Sequence, residues 1–291
     1  MDTEQQGLYL MTAICSLLSL FSSCILLIIC GFTNLWRFSS VRIISYLAGL
    51  NMFGSIVLLL PTYKYEFMCS FQGHLLNFSI ISQLIFSTLL MHLAYMKIVK
   101  NSSFTRIIEV RYLGIALVPA LIASLPPFIA ENVGNDCWDN KHSPLQDAVG
   151  SYGFLVLYLL SGLVALVFFV VTLNNLRRFP KGYQTEEYNE KVEKLKFFGG
   201  FTFLNFTIGA VVFCYACMQI YGVERRSMDF LVMCSYGLAG MIMTAIFVDS
   251  KKVRRGLKNS MGLKSSEVSI LKEDTDRLSC ATEQLSQDLS D

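Results

Sequence analysis

Charge is scarce where this chain is most apolar. Asp, Glu, Lys and Arg make up 16% of its 291 residues, and the long apolar stretches hold almost none of them. Pumps, proton-coupled transporters and voltage sensors need ionisable side chains at membrane depth, so this scarcity counts against all three. Histidine is as sparse. His74 and His92 stand eighteen residues apart on one expected helix, about 27 Å along its axis, so they cannot share an ion. His142 could join only His74, and two ligands make a poor zinc site. No metal and no cofactor is expected. There is no phosphate-binding loop ending in Gly-Lys-Ser/Thr, no H-E-x-x-H and no G-x-S-x-G, so no catalytic residue is expected either. The last apolar stretch has no Lys to anchor a retinal Schiff base. No internal repeat of the kind that builds inverted-repeat transporters is visible. A nucleic-acid polymer is not expected as a partner.

What is present is apolar: 53% of the residues are hydrophobic, gathered into seven long runs near Gly7–Phe32, Ile43–Pro61, Cys69–Met96, Leu113–Ala130, Ala148–Leu173, Phe197–Tyr221 and Met228–Val248. Each is long enough, at about 1.5 Å rise per residue, to cross a hydrocarbon core of roughly 30 Å as a helix. In lipid the backbone must satisfy its own hydrogen bonds, which excludes loops and open sheets. The expected fold class is an all-α membrane protein, a seven-transmembrane helix bundle. The segments after runs one, three, five and seven hold Arg37 and Arg42; Lys97, Lys100, Arg106 and Arg111; Arg177, Arg178, Lys181, Lys191, Lys194 and Lys196; then Lys251, Lys252, Arg254, Arg255, Lys258 and Lys264. The opposite side has Lys64, Lys141, Arg225 and Arg226. By the positive-inside rule the N-terminus lies outside and the C-terminus in the cytosol. The first run is too long for a signal h-region and follows Asp2 and Glu4 with no basic residue, so it is expected to be a true span.

The external segments, near Thr62–Met68, Glu131–Asp147 and Gly222–Ser227, are too short to fold alone. Inside, Arg177-Arg178-Phe179-Pro180-Lys181-Gly182 breaks the fifth helix. Glu187/Lys191 and Glu190/Lys194, at i,i+4 with Glu first, predict a solvated helix running into span six. Residues Lys251 to Leu257 mix basic and apolar side chains and predict a short amphipathic helix along the inner leaflet. The bundle with that segment covers 1–262, and 263–291 is polar enough to predict a disordered cytosolic tail. Of nine cysteines, Cys69 and Cys137 fall on the oxidising side. A bridge between them would pin the second external loop over the bundle, closing a cycle of about 70 residues with a loop-closure contribution on the order of 4 kcal/mol. Cys15, Cys24, Cys30, Cys214, Cys217 and Cys234 lie within spans and are expected to be small packing residues. Sequons at Asn77, Asn101 and Asn205 lie in spans or on the cytosolic side, so no N-glycan is expected.

Seven spans, an outside N-terminus and basic inner loops resemble a G-protein-coupled receptor. The motifs of the rhodopsin-like class are absent: span three ends Ala94-Tyr95-Met96-Lys97, span six has no Pro, and span seven has no Asn-Pro-x-x-Tyr. Leu35-Trp36-Arg37-Phe38, the span-three ending Tyr95-Met96-Lys97-Ile98-Val99-Lys100, the loop Asn135-Asp136-Cys137-Trp138 and Pro119 in span four are together similar to the cyclic-AMP receptor family of slime moulds, itself distantly secretin-class-like. Gln83 and Phe86 stand where that family tends to have Trp, and the end of span seven is only loosely similar.

The resemblance implies a receptor that transduces an extracellular small-molecule signal, a cyclic nucleotide by family, to a heterotrimeric G protein. A phosphate needs a cation and a base needs an aromatic surface, so Lys64, His74, Trp138, Lys141, Arg225 and Arg226 are the ligand-binding candidates, with Tyr152, Tyr158, Tyr215 and Tyr221 as stacking partners. Tyr95, Lys97, Lys100, Arg106, Arg177, Arg178, Lys194 and Lys196 would edge a G-protein cleft, because a helix C-terminus is negative. The same cations would meet anionic membrane lipid. Ser265, Ser266, Ser269, Thr275, Ser279, Thr282, Ser286 and Ser290 are candidate phosphorylation sites, with a kinase and an arrestin-like protein as candidate partners. The alternative is a multi-pass transporter or channel, at the plasma membrane in either case.

Overall fold

A computed structural model describes residues 3–32, 36, 38–60, 66–102, 106–129, 144–178, 186–220, 226–250 and 253. Among them are seven α-helices and no strand: α1 (Thr3–Phe32), α2 (Ser39–Leu58), α3 (Glu66–Ile98), α4 (Arg106–Ile129), α5 (Pro144–Arg177), α6 (Glu186–Ile220) and α7 (Arg226–Asp249). Six of them contain segments long and apolar enough to cross a membrane, and among the described residues α7 has a shorter apolar segment, Leu238–Asp249. The architecture fits a multi-pass membrane protein.

The distribution of side chains explains why. Water-soluble bundles hide their leucines, whereas here Leu10, Phe21, Ile122, Leu159, Leu163 and Phe203 are exposed while Ser16, Ser19, Ser23, Asn51, Ser82 and Asn205 are buried. Lipid is as apolar as leucine, so it can cover such an outer surface, and helices then associate through small residues and interhelical hydrogen bonds. Both devices are visible. Asn51 of α2, fully buried, donates from Nδ2 to Ser19 Oγ at 2.8 Å and Ser23 Oγ at 3.0 Å on α1. Ser79 Oγ on α3 donates to the Leu50 carbonyl of α2 at 2.9 Å. Thr88 of α3 reaches the Ser161 carbonyl of α5 at 3.1 Å, and Thr202 of α6 reaches the Ser87 carbonyl of α3 at 3.1 Å. These bonds place α3 at the centre, tied to α2, α5 and α6.

Two apolar clusters fill the remaining interior. The larger joins Ile43, Ile44 and Leu47 to Phe86, Leu90 and Leu93, then to Phe201 and Phe247. Val253, just beyond α7, is buried with it. The smaller surrounds Leu76, Ile80, Leu84 and Ile208 nearer the other end. The expected helix running into span six is present: α6 is continuous from Glu186, and Lys194 pairs with Glu190 at 2.8 Å. Apart from Val253, the segment expected to lie on the inner leaflet and the tail from 263 lie outside the described residues.

Candidate functional site at the basic end of the bundle

The ends of α1, α3, α5 and α7 and the starts of α2, α4 and α6 share one end of the bundle, where most of the cations collect. Its α2 side is held by a buried ion pair. The first turn of α4 carries Glu109, and Arg42 of α2 reaches it with a fork: Nε lies 2.9 Å from each carboxylate oxygen and Nη2 2.6 Å from Oε2. Two-pronged geometry of this kind is the strongest form of the Arg–carboxylate contact. Tyr46, one turn along α2, donates its hydroxyl to Glu109 Oε1 at 2.7 Å. Arg42 Nη1 also donates to the Trp36 carbonyl at 2.8 Å, which ties down the chain three residues before α2. Glu109's side chain is only 6% exposed. A buried carboxylate is tolerated because both its oxygens are used. Its position in the first helical turn is favourable as well, since that turn is the positive end of the helix dipole.

A second tie links the end of α3 to the start of α2, where Lys97 Nζ donates to Ser39 Oγ at 3.1 Å. The chain then leaves α3 through Asn101, whose φ of 51° lies in the left-handed region. Asn tolerates that conformation better than most residues and often closes helices. The turn brings the Ser102 N–H to the Met96 carbonyl at 3.2 Å. Lys100, exposed, sits with its ammonium 5.8 Å from the Tyr95 ring centre, within cation–π range.

Behind Tyr95 is an aromatic wall. The His92 and Phe168 rings lie 4.8 Å apart and the Tyr95 and Phe168 rings 5.5 Å, joining α3 to α5. His92 Nδ1 shares a hydrogen bond with the Tyr112 hydroxyl of α4. At the same end, Arg106 on α4, Arg177 and Arg178 on α5 and Lys196 on α6 are exposed, and none forms an ion pair with another described residue. The cations of this end are therefore in two states: Arg42 and Lys97 are held by side chains of the bundle, whereas Arg106 of α4, Arg177 and Arg178 of α5 and Lys196 of α6 form no ion pair among the described residues, although α5 and α6 are packed against α3. That arrangement can hold a negatively charged helix end or an anionic headgroup.

The expected coupling residues thus share one end but not one state. Arg106, Arg177, Arg178 and Lys196 are free, Lys100 covers Tyr95, Lys97 bonds Ser39, and Lys194 is paired with Glu190. Sequence reasoning passed over Glu109, the residue that organises the tied side. Its signal was a carboxylate between Arg106 and Arg111 in an otherwise basic segment.

At the other end, His74 is buried and its Nδ1 hydrogen-bonds the Ser124 carbonyl of α4. Its ring therefore fastens α3 to α4. Lys64, Cys137, Trp138, Lys141, Tyr221 and Arg225 lie outside the described residues, as do the side chains of Cys69, Tyr152, Tyr215 and Arg226 and the phosphorylation candidates Ser265, Ser266, Ser269 and Thr275. Tyr158 is engaged inside the bundle: its hydroxyl donates to the Phe206 carbonyl at 3.1 Å and its ring packs 5.3 Å from that of Phe213. No protein-family model matches the chain, and no curated protein matches it significantly.

Proposed function

We propose that the chain is a seven-helix receptor of the plasma membrane that couples an extracellular small molecule to a heterotrimeric G protein. On this reading all seven helices span, with the N-terminus outside and the basic end in the cytosol. The observation that carries it is the division of the basic end. A receptor needs one part of its inner face fixed and another able to open, because an agonist acts only by favouring one of two packings. The Arg42–Glu109–Tyr46 and Lys97–Ser39 ties supply the fixed part on α2, α3 and α4. The inner ends of α5 and α6, which meet α3 through aromatic and apolar packing with no ion pair among the described residues, supply the other, with Arg177, Arg178 and Lys196 free to meet the carboxylate and last carbonyls of a G-protein helix. A cyclic nucleotide is the ligand class suggested by the resemblance of the span-three ending and the Cys-Trp loop.

The expected result is a complex between the bilayer-reconstituted protein and nucleotide-free G-protein heterotrimer that dissociates on addition of a non-hydrolysable GTP analogue. An Arg177→Ala/Arg178→Ala/Lys196→Ala variant is expected to weaken it at least about tenfold, since exposed cations each contribute modestly but act together across a complementary interface. Binding that ignores the nucleotide, or is unchanged in the variant, would count against coupling. Solute flux through the same vesicles would instead support the transporter or channel.

A further inference from the structure

The seam between α1 and α7 carries two thiols for which the signalling route has no use. The helices run side by side in register. Cys15 faces Cys234 with sulfurs 4.0 Å apart, Ser19 lies against Gly240, and Thr244 Oγ1 donates to the Ser22 carbonyl at 2.9 Å. Gly240 sets the spacing, because a Cβ at that position would stand 2.5 Å from the Ser19 carbonyl oxygen. Backbones that approach this closely suit a disulfide, which needs Cα atoms about 4.4–6.8 Å apart and sulfurs joined at about 2 Å. Among the described residues no other two thiols are hydrogen-bonded to each other: Cys24 faces the Met52 sulfur at 3.7 Å, and Cys30 is fully buried. Cys15 and Cys234 are both only half-buried.

We infer that Cys15 and Cys234 are an oxidisable pair that takes an interhelical disulfide, fastening α1 to α7. A peroxide supplies the oxidising equivalents, and its small, neutral form suits a half-buried site. One sulfur attacks the O–O bond, giving a sulfenic acid and releasing one water. The second sulfur then displaces the hydroxyl of that sulfenic acid, which leaves with the second thiol proton as another water, and the S–S bond closes. Two thiols lose two electrons and two protons in total, and the peroxide is reduced to two waters. A neighbouring thiol in contact traps the sulfenic acid before further oxidation. The inference rests on the seam alone and stands or falls separately from the receptor reading.

The test uses the full-length protein in phosphatidylcholine vesicles. It is treated with hydrogen peroxide, blocked with N-ethylmaleimide, digested without reductant and read by mass spectrometry. The expected result is one linked species joining the Cys15 and Cys234 peptides, lighter than their sum by two hydrogens and separated by dithiothreitol. In Cys15→Ser and Cys234→Ser this species is absent and the remaining thiol is recovered as a maleimide adduct or a sulfinic acid. A phenylarsenic(III) oxide titration of the untreated protein, which needs two adjacent thiols, is expected to protect both residues together from maleimide. Recovery of Cys15 and Cys234 as separate adducts or separate sulfinic acids in the unaltered protein would overturn the assignment, as would independent maleimide labelling in the presence of the arsenical.

Discussion

Gly240→Ala is expected to destabilise the bundle by about 1–3 kcal/mol, the usual cost of forcing an extra carbon into a packed interior. The added Cβ would lie 2.5 Å from the Ser19 carbonyl oxygen, 2.6 Å from Ser19 Oγ and 2.7 Å from Asn51 Nδ2. The first of these is backbone and cannot swing aside. The other two belong to the hydrogen bond that joins α1 to α2, so relief by side-chain rotation breaks a buried contact instead. Gly49→Ala and Gly114→Ala provide the comparison. Each glycine sits in a helix with nothing within 4 Å of its added carbon, so removing its backbone freedom is expected to stabilise by roughly 0.5–1 kcal/mol. Thermal unfolding in one lipid bilayer should therefore move in opposite directions for the two kinds of variant. Equal shifts would mean that the α1–α7 seam is looser than described.

The second large effect is at Arg42. Arg42→Met removes the forked cation and leaves Glu109, with a side chain 6% exposed, to the Tyr46 hydroxyl and the unbonded Arg106 charge. Breaking a buried pair from one side costs about 3–5 kcal/mol, because an uncompensated charge remains. Replacing both partners removes the penalty with the pair. Arg42→Met/Glu109→Leu is therefore expected to recover most of the loss, and the double-mutant cycle should give a coupling energy of a few kcal/mol. Tyr46→Phe removes one hydrogen bond to a charged group and is expected to cost about 1.5–3 kcal/mol. Additive effects of the Arg42 and Glu109 substitutions would show that the pair is solvated and contributes little.

The helices were readable in the sequence because an unbroken apolar run admits one backbone solution in lipid. The ends were less so. Apolarity marks the start of the fourth run at Leu113, yet α4 begins at Arg106, since Glu109 is satisfied by Arg42 and the helix can absorb a charged turn. Local pairing was readable where it is local: Glu190 and Lys194 meet at i,i+4 as their spacing implies. Contacts between helices were not. Nothing in a one-dimensional pattern says that Arg42 faces Glu109, that His92 faces Tyr112, or that Cys15 faces Cys234, which had passed as a packing residue. An added carbon at Gly209 in α6 would meet the Tyr158 ring at 2.7 Å and Leu84 at 2.8 Å. That glycine serves close packing, and among the described glycines the tightest approach is at Gly240.

Coupling is tested most directly by GTP exchange on purified G-protein heterotrimers, with the protein reconstituted in lipid, with and without cyclic nucleotides. The expected result is exchange that rises with cyclic AMP and is lost in the Arg177→Ala/Arg178→Ala/Lys196→Ala variant, while that variant unfolds at the same temperature as the unaltered protein. Basal exchange that cyclic AMP leaves unchanged would retain the receptor and discard the ligand class. Folded protein that catalyses no exchange on any heterotrimer would contradict the receptor reading.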